Sequence, residues 1–209
     1  MLHSPVYFRS HLQSVLLSHY NKFFSNKKND SVFITGMPGS GKTHTIRHTF
    51  FSSSVNSTDE KEIYFSNPDV FYFNCCFKGT FLRKFAIELK KWSKKHSIQT
   101  RIQTKIKKNI KKKRIDLSTN VKWSEITSYL KNKTLILDEI DFLKPDDLYR
   151  FLELKNLLLI CIGNKMIFEN RIRSRIGTIL GVEAYTAEEL RAIAENKTSI
   201  KQDDDIMGV

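Results

Sequence analysis

The sequence predicts a three-layer α/β fold built on a five-stranded parallel sheet, and three observations lead to that prediction. Short apolar runs that suit buried strands alternate along the chain with segments of helical periodicity. The apolar run at residues 31–35 leads straight into a glycine-rich loop and then a helical segment. A further run at residues 134–138 is almost entirely apolar, which is typical of a parallel strand covered by helices on both faces.

The first half of the chain is predicted to contain three helices and two strands. Residues 6–24 predict either one helix or a short strand-like lead-in followed by a helix, with apolar side chains along one side, and residues 44–52 continue as a helix after the glycine-rich loop. Residues 52–69 are rich in serine, asparagine and charge, which indicates a loop, with or without one short strand inside it. The run VFYFN at residues 70–74 predicts the second strand. Thr80 suits the N-cap of a third helix, whose apolar residues are Phe81, Leu82, Phe85, Leu89 and Trp92.

The second half continues the alternation. Because helical segments separate the apolar runs, the strands are connected by crossovers, as a parallel sheet requires. The predicted helices cover residues 123–130, 146–154 and 187–195, and the predicted strands cover residues 134–138, 157–163 and 178–182.

The glycine-rich loop has the spacing of a phosphate-binding P-loop, Gly36-x-x-x-x-Gly41-Lys42-Thr43. Its glycines let successive backbone N–H groups face an anion, and the following helix adds the positive end of its dipole. Lys42 is suited to reach the β- and γ-phosphates, and the Thr43 hydroxyl is suited to bind Mg²⁺. A chance glycine turn is the alternative, and the strand before and the helix after the loop argue against it. The predicted nucleotide-binding residues of the loop are Gly36, Pro38, Gly39, Ser40, Gly41, Lys42 and Thr43.

Polar side chains end two further predicted strands. Asp138 and Glu139 end the run TLILDE, and Asn164 ends the run ICIGN. Ligands of open α/β sheets bind at the carboxyl ends of the strands, where these residues and the P-loop would meet. Asp138 would hold Mg²⁺ with Thr43, Glu139 would activate a water, and Asn164 would orient that water or the γ-phosphate. A strand-end acidic turn without chemistry is the alternative for the two carboxylates.

Composition limits the possible classes of protein. The chain has 209 residues, enough for one ordinary α/β domain with a small appendage. No apolar run approaches 18 residues, so no membrane contact is expected. The three cysteines, two of them adjacent, suggest buried and reduced thiols in an intracellular protein. We find no Cys/His spacing that suits a metal site.

The net charge of +13 comes almost entirely from one segment, Lys90 to Arg114. That segment holds twelve Lys and Arg and no acidic residue, and the remaining chain has 23 basic and 22 acidic residues. Four isoleucines at intervals of four predict that it is in part a basic amphipathic helix: Ile98, Ile102, Ile106 and Ile110. Such a basic helical insertion would bind DNA phosphates without reading bases. A nuclear localisation signal and a solvated lysine-rich insertion are the alternatives, and Trp92 is either a core residue or a base-stacking one.

Four motifs in order resemble those of an AAA+ ATPase: GMPGSGKT, LILDEID, ICIGN and RIRSRIG correspond to Walker A, Walker B, sensor 1 and the arginine box. Three further stretches, YFRSHLQSVLLSHY, FYFNCCF and VEAYTAEELRAI, resemble the replication-initiator group, which contains the largest origin recognition subunit and the related helicase-loading cell-division-control protein. The resemblance covers most of residues 6–195. It implies that Arg9 lies near the adenine of bound ATP.

The resemblance also implies a function. The chain would be an ATP-binding AAA+ subunit of a nuclear origin-recognition or helicase-loading complex, with ATP and Mg²⁺ as ligands and related AAA+ subunits and DNA as partners. Glu139 and Asn164 would act in hydrolysis, and Arg171 and Arg175 would face the γ-phosphate of a neighbouring subunit. An ordinary surface salt-bridge cluster is the alternative for the two arginines.

The expected domain organisation is a nucleotide-binding domain at residues 1–184 and the start of a lid with an acidic tail at residues 185–209. The lid's sensor 2 arginine and the family's winged-helix domain are expected to be missing, so slow hydrolysis by the isolated chain is expected. Two other functions remain open at this point. One is a stand-alone P-loop nucleotide kinase or phosphotransferase, which would not explain RIRSRIG or the basic segment. The other is a structural subunit that binds ATP without turning it over.

Overall fold

A computed structural model describes residues 8–51, 67–103, 123–165 and 169–195 of the chain. The strands are β1 Asp30–Gly36, β2 Val70–Asn74, β3 Lys133–Asp138, β4 Leu157–Gly163 and β5 Thr178–Val182. The helices are α1 Ser10–Asn26, α2 Lys42–Phe51, α3 Phe81–Gln103, α4 Trp123–Leu130, α5 Pro145–Leu152, α6 Asn170–Arg173 and α7 at residues 187–195. A 3₁₀ turn, Ile140–Phe142, follows β3.

The five strands form one parallel sheet in the order β2-β3-β4-β1-β5, which confirms the predicted fold class. Asn74 at the end of β2 is in register with Asp138 at the end of β3. Thr35 of β1 is in register with Gly163 of β4, and Gly36 is in register with Val182 of β5. All five carboxyl ends therefore lie along one edge of the sheet.

Helices cover both faces of the sheet. Neighbouring residues of a strand point to opposite sides, so each strand contributes side chains to two separate buried clusters. Leu135 and Leu137 of β3 belong to one buried cluster, and Ile136 between them belongs to the other. The same alternation holds throughout β4, all of whose residues are buried. One cluster includes Phe71, Phe85, Trp92, Ile126 and Phe151, and the other includes Leu16, Phe23, Ile46, Phe51 and Ile160.

Phe85 of α3 lies at the centre of an aromatic group on one face of the sheet. Its ring is 5.0 Å from that of Phe151 and 5.1 Å from that of Phe73, measured between centroids. Phe71 and Phe81 contact it at 5.5 and 5.4 Å. Separations of this size are those at which tilted and edge-to-face rings attract. The group attaches α3, and with it the start of the basic segment, to the sheet.

Trp92 is a core residue. It is buried against Phe71, and its indole N–H donates to the backbone oxygen of Asn67 at 3.2 Å. It therefore does not offer its ring to a nucleic-acid base. Helix α3 continues past Trp92 into the basic segment as far as Gln103, and the remainder of that segment, up to Arg114, lies outside the described residues.

Two of the three cysteines are buried, as expected, but Cys76 is exposed. It lies just after β2, where the Asn74 side chain accepts a hydrogen bond from its backbone N–H at 2.7 Å, so the chain has already left the sheet at this point. Within the described ranges, no helix combines the length and apolar character needed to cross a membrane.

We expect Phe85→Ala to lower the free energy of unfolding by about 3–5 kcal/mol, because it removes a fully buried ring and leaves a cavity. Chemical denaturation followed by circular dichroism measures the change. Phe142→Ala is the matched control, since that ring is 65% exposed, and it should change stability by less than about 0.5 kcal/mol. Equal effects of the two substitutions would contradict the assignment of Phe85 to the centre of the core.

Candidate nucleotide-binding site

The phosphate-binding loop between β1 and α2 depends on two glycines with positive φ angles. Gly39 has φ +79° and Gly41 has φ +89°, conformations that residues with a side chain rarely adopt. Helix α2 begins at Lys42 with no acidic residue in its first turn. Its first N–H groups therefore lie at the end of the loop, where an anion would meet both backbone donors and the positive end of the helix dipole.

Lys42 is buried beneath the loop, with only 7% of its surface exposed. Its ammonium donates to the backbone oxygens of Gly36 at 2.8 Å and Met37 at 2.9 Å, and to Asn164 Oδ1 at 3.2 Å. Burial lowers the pKa of Lys42 from its ordinary value, and the nearby carboxylates, led by that of Glu139, oppose the shift. The ammonium is thus held at the loop by neutral acceptors that an anionic ligand could replace.

Thr43 and Asp138, the two residues predicted to bind Mg²⁺, lie in direct contact. The Thr43 hydroxyl donates to Asp138 Oδ2 at 2.9 Å. Tyr72 of β2 donates its hydroxyl to the same oxygen at 2.7 Å, and the backbone N–H of Glu139 donates to Oδ1 at 2.9 Å. Asp138 is only 2% exposed, and these three donors orient its buried carboxylate.

The Tyr72 contact was not predicted from the sequence. The only signal was a tyrosine in an otherwise apolar strand next to the strand that carries Asp138.

Glu139 and Asn164 are brought together at the carboxyl ends of β3 and β4. Asn164 Nδ2 lies 3.4 Å from Glu139 Oε2, a long hydrogen bond, while Asn164 Oδ1 accepts from Lys42. The backbone N–H of Asn164 donates to Asp141 Oδ2 at 2.7 Å, which fixes the residue at the end of β4. Glu139 has φ 56° and ψ 46°, a left-handed conformation that is unusual for glutamate.

Arg9 lies against the loop as well, although it comes from the segment before α1. Its Nε donates to the backbone oxygen of Ser40 at 3.0 Å, and its Nη2 donates to that of Glu183 at 2.8 Å. The guanidinium carbon lies 4.0 Å from the ring centre of Tyr185, a cation–π contact. The resemblance implied that Arg9 lies near the nucleotide but did not single out Tyr185, although the tyrosine lies in the stretch VEAYTAEELRAI on which the resemblance rests.

Most of the predicted nucleotide-binding residues line one cleft of about 350 Å³, whereas Gly36, Ser40 and Arg9 are not among its lining residues. Its walls come from the loop, the first turn of α2 and the ends of β3 and β4, and the residues are Pro38, Gly39, Gly41, Lys42, Thr43, His44, Asp138, Glu139, Ile162, Gly163 and Asn164. Backbone donors and an ammonium suit phosphates, and the hydroxyl and carboxylate oxygens of Thr43 and Asp138 suit Mg²⁺. In the part of the chain that the structure describes, no group of three or more His, Cys, Asp or Glu side chains could hold a metal. A Mg²⁺ ion held by Thr43 and Asp138 would take its other ligands from the nucleotide and from water.

Arg171 and Arg175 are not among the residues that line this cleft. Arg171 contacts Asp146 and Glu169, each at 2.6 Å, and these two partners raise its pKa. Arg175 contacts Glu153 at 2.7 Å. The guanidinium carbons of both arginines approach the ring of Tyr149 of α5, at 5.5 Å for Arg171 and 4.6 Å for Arg175. The pair thus forms a separate exposed cluster with its own carboxylates.

Comparisons with known proteins agree with this architecture. Residues 26–173 match the family described as AAA domain. The fold is similar to Cdc6p from Pyrobaculum aerophilum, with a TM-score of 0.64 and 16% identity over 94% of this chain and 51% of that chain. It is also similar to the Aeropyrum pernix ORC1 protein in complex with DNA, with a TM-score of 0.61 and 20% identity over 94% of this chain and 50% of that one. The Aeropyrum pernix ORC2 protein, described with ADPNP–ADP complexes, gives a TM-score of 0.59 and 16% identity over 95% of this chain and 54% of that one.

The chain belongs to the AAA domain family, whose match covers most of its length. At these low identities the solved structures show a shared fold, that of Cdc6/Orc1 AAA+ ATPases. The chain spans about half the length of each of the three proteins. No curated protein sequence matches it.

The cysteines give a chemical test of the geometry around the site. The backbone N–H of Cys75 donates to the backbone oxygen of Asp138 at 2.8 Å. Burial, followed by the charges of Asp138 and Glu139, raises the pKa of the Cys75 thiol to about 12. Complete burial raises the pKa of Cys161 as well. Both thiols stay protonated near neutral pH, and protonated thiols are poor nucleophiles.

We expect one fast-reacting thiol, Cys76, when the native protein is treated with a chromogenic disulfide reagent at pH 8. At that pH a thiol with a pKa of about 12 is ionised in roughly 1 molecule in 10,000, so Cys75 should react slowly even when the reagent reaches it. Cys76→Ser should abolish the fast phase, and denaturant should release the two remaining thiols. Fast reaction of two or three thiols in the native protein would show that the core around Cys75 is open.

Proposed function

We propose that this AAA-family chain is the ATP-binding AAA+ subunit of a DNA replication origin-recognition or helicase-loading complex, and that it binds ATP and Mg²⁺, contacts DNA and assembles with related AAA+ subunits. The observation behind this proposal is the arrangement at the carboxyl edge of the sheet. There Lys42, the Thr43–Asp138 pair and the Asn164–Glu139 pair surround one cleft. The likeness of the fold to Cdc6p and ORC1 supports the initiator assignment.

The residues of the cleft suit successive steps of ATP binding and hydrolysis. The backbone N–H groups of the loop and the Lys42 ammonium would bind the β- and γ-phosphates. Thr43 and Asp138 would hold Mg²⁺, which neutralises charge on the phosphates when it is bound. Glu139 would accept a proton from the attacking water, and Asn164, which contacts both Lys42 and Glu139, would align that water with the γ-phosphate.

Arg171 and Arg175 would complete the site of a neighbouring subunit. They lie outside the cleft of their own chain, and their side chains are 45% and 39% exposed. Exposed ion pairs contribute little stability, so their carboxylate partners are weak competitors for a phosphate. Guanidinium groups bind phosphate oxygens through two hydrogen bonds at once. On this proposal hydrolysis by the isolated chain is slow, because each site needs its neighbour's arginines.

The basic segment from Lys90 to Arg114 would bind DNA through its phosphates. Among its described side chains, Lys90 is held by Glu125 at 3.0 Å and Lys91 by Glu88 at 2.9 Å. Lys94 and Lys95 are exposed on the same helix, and neither has an ion pair with a described carboxylate. Nuclear localisation follows from the proposed role in replication. The alternative, a stand-alone nucleotide kinase, has less support because the chain belongs to the AAA family and carries this basic segment.

ATP binding is the direct test. We expect Lys42→Ala to weaken Mg²⁺-dependent binding of a fluorescent ATP analogue by at least about tenfold, since it removes a charge-assisted contact to the phosphates. Lys155→Ala, at an exposed lysine outside the cleft, is the control and should bind like the unaltered chain. Thermal melts of each variant separate loss of binding from loss of folding. A folded Lys42→Ala variant with unchanged affinity would refute the proposed site.

DNA binding is tested through its salt dependence. The double substitution Lys94→Gln and Lys95→Gln should reduce the slope of log K against log salt concentration by about two units, roughly one for each lost phosphate contact. The control is Lys28→Gln with Lys155→Gln, which removes the same charge from exposed positions elsewhere. Equal slopes for the two double variants would mean that α3 does not contact DNA.

The same titration extends to Lys107, Lys108, Lys111, Lys112 and Lys113, which lie outside the described residues. Neutralising four of these five should flatten the slope further, and an unchanged slope would leave the distal segment as a localisation signal or a solvated insertion.

A further inference from the structure

We propose that Tyr72 makes the candidate site selective for Mg²⁺ over Ca²⁺, because its hydroxyl occupies the position on Asp138 through which a larger ion would gain a second carboxylate contact. The inference rests on the proposed binding of nucleotide with Mg²⁺. It assigns to Tyr72 a role that neither the phosphate-binding loop nor the acidic end of β3 requires. Tyr72 acts through Asp138 and is therefore a positioning residue.

The fold directs the hydroxyl of Tyr72 toward Asp138. Tyr72 packs against the buried cluster that contains Ile46 of α2 and Ile136 of β3, so its ring lies on the face of the sheet that α2 covers. It is in register with Ile136, two positions before Asp138. Residues two apart on a strand point to the same face, and the length of a tyrosine side chain spans this offset. The hydroxyl thus reaches Asp138 Oδ2 at 2.7 Å from a ring that the core holds in place.

The protein's own donors occupy most of the acceptor positions of the Asp138 carboxylate. A carboxylate offers about four such positions, two on each oxygen. Within the described ranges, Oδ2 accepts from the hydroxyls of Tyr72 and Thr43, and Oδ1 accepts from the backbone N–H of Glu139. Oδ2 is therefore fully occupied, and the position that remains for an ion or its water is on Oδ1.

This arrangement suits Mg²⁺ better than Ca²⁺. A hydroxyl that binds a metal through a lone pair keeps its proton, so Thr43 can hold an ion and still donate to Oδ2. Mg²⁺ keeps several waters in an octahedral shell, so one position on Oδ1 is enough for it. Ca²⁺ takes more oxygen ligands and often binds both oxygens of one carboxylate. With Oδ2 occupied by Tyr72 and Thr43, that two-oxygen contact is closed to it.

Removal of the Tyr72 hydroxyl would affect the two ions differently. The carboxylate would lose a donor that orients it, and loss of such a hydrogen bond typically weakens metal binding by about 10–100-fold. At the same time one position on Oδ2 would open, so that each carboxylate oxygen would have a free position. Ca²⁺ can use the two together, which offsets its loss, whereas Mg²⁺ gains nothing from the second position.

The test compares the two ions as partners of a nucleotide in the full chain. Dissociation constants of a fluorescent ATP analogue are measured with excess EDTA, with saturating Mg²⁺ and with saturating Ca²⁺. Dividing the constant in EDTA by the constant with each metal gives the gain in affinity that each ion provides. A general effect of a substitution on nucleotide binding cancels in this ratio, and the binding of each ion to the free analogue is the same for all variants.

Tyr72→Phe keeps the ring and removes only the hydroxyl. It should reduce the gain from Mg²⁺ by about tenfold and the gain from Ca²⁺ by less than about threefold. Tyr129→Phe, the same change at an exposed tyrosine of α4, is the control and should leave both gains unchanged. In an Asp138→Asn background, Tyr72→Phe should cause no further loss with Mg²⁺, because Tyr72 acts through the carboxylate. Circular dichroism and thermal melts verify that each variant is folded.

The outcomes distinguish the role of Tyr72 from the proposed function. Mg²⁺-dependent binding by the parent, together with unchanged gains in folded Tyr72→Phe, would overturn the role of Tyr72 and leave the proposed function intact. Equal losses with the two ions would mean that Tyr72 supports the carboxylate without selecting the ion, which also overturns the selectivity. Absence of nucleotide binding by the parent under every condition would overturn both. A loss confined to Mg²⁺, and absent from the Asp138→Asn background, is the result that the inference requires.

Discussion

The burial of the Lys42 ammonium is the constraint on which the site depends. A charged group removed from water is unfavourable unless polar atoms surround it, and here those atoms come from the start of the loop and from the residue after β4. The loop must curve so that the Gly36 and Met37 oxygens face inward, and β4 must end where Asn164 can reach the ammonium. The parallel register of β1 and β4 satisfies the second condition. A nucleotide would then find its cation and its backbone donors already oriented, so little ordering would be needed on binding.

The parts of this architecture that depend on contiguous residues were predictable from the sequence. The glycine spacing of the loop, the apolar runs of the strands and the acidic end of β3 each lie within a few residues, and the rules of parallel sheets place their ends together. Contacts between distant residues that belong to no recognised motif were not predictable. Tyr72 reaches Asp138 across 66 positions of the chain, and Arg9 reaches Glu183 across 174. No local pattern encodes such pairs, and the exposure of Cys76 likewise depends on where β2 leaves the sheet.

The stretch RIRSRIG, which carries Arg171 and Arg175, shows how far the spacing of residues alone can guide a prediction. Arg171 and Arg175 are four residues apart, which would place them on the same side of a helix. Helix α6 ends at Arg173, yet both guanidinium groups lie over Tyr149, and Arg175 donates to the backbone oxygen of Arg171 at 3.2 Å. The shared side is therefore maintained by an aromatic residue of α5 and not by helix geometry. This arrangement presents two cations on one rigid surface.

The left-handed backbone of Glu139 has a consequence for how this sequence can change over evolutionary time. A non-glycine residue in this conformation costs roughly 1–2 kcal/mol, and glycine or asparagine would relieve most of that strain. Selection for thermal stability alone would therefore favour loss of the carboxylate at this position, whereas selection for the role in hydrolysis that we propose for Glu139 would retain it. A lineage in which assembly mattered and turnover did not would be free to make the exchange. The residue at position 139 in a given relative therefore indicates which of the two selective pressures has acted on that protein.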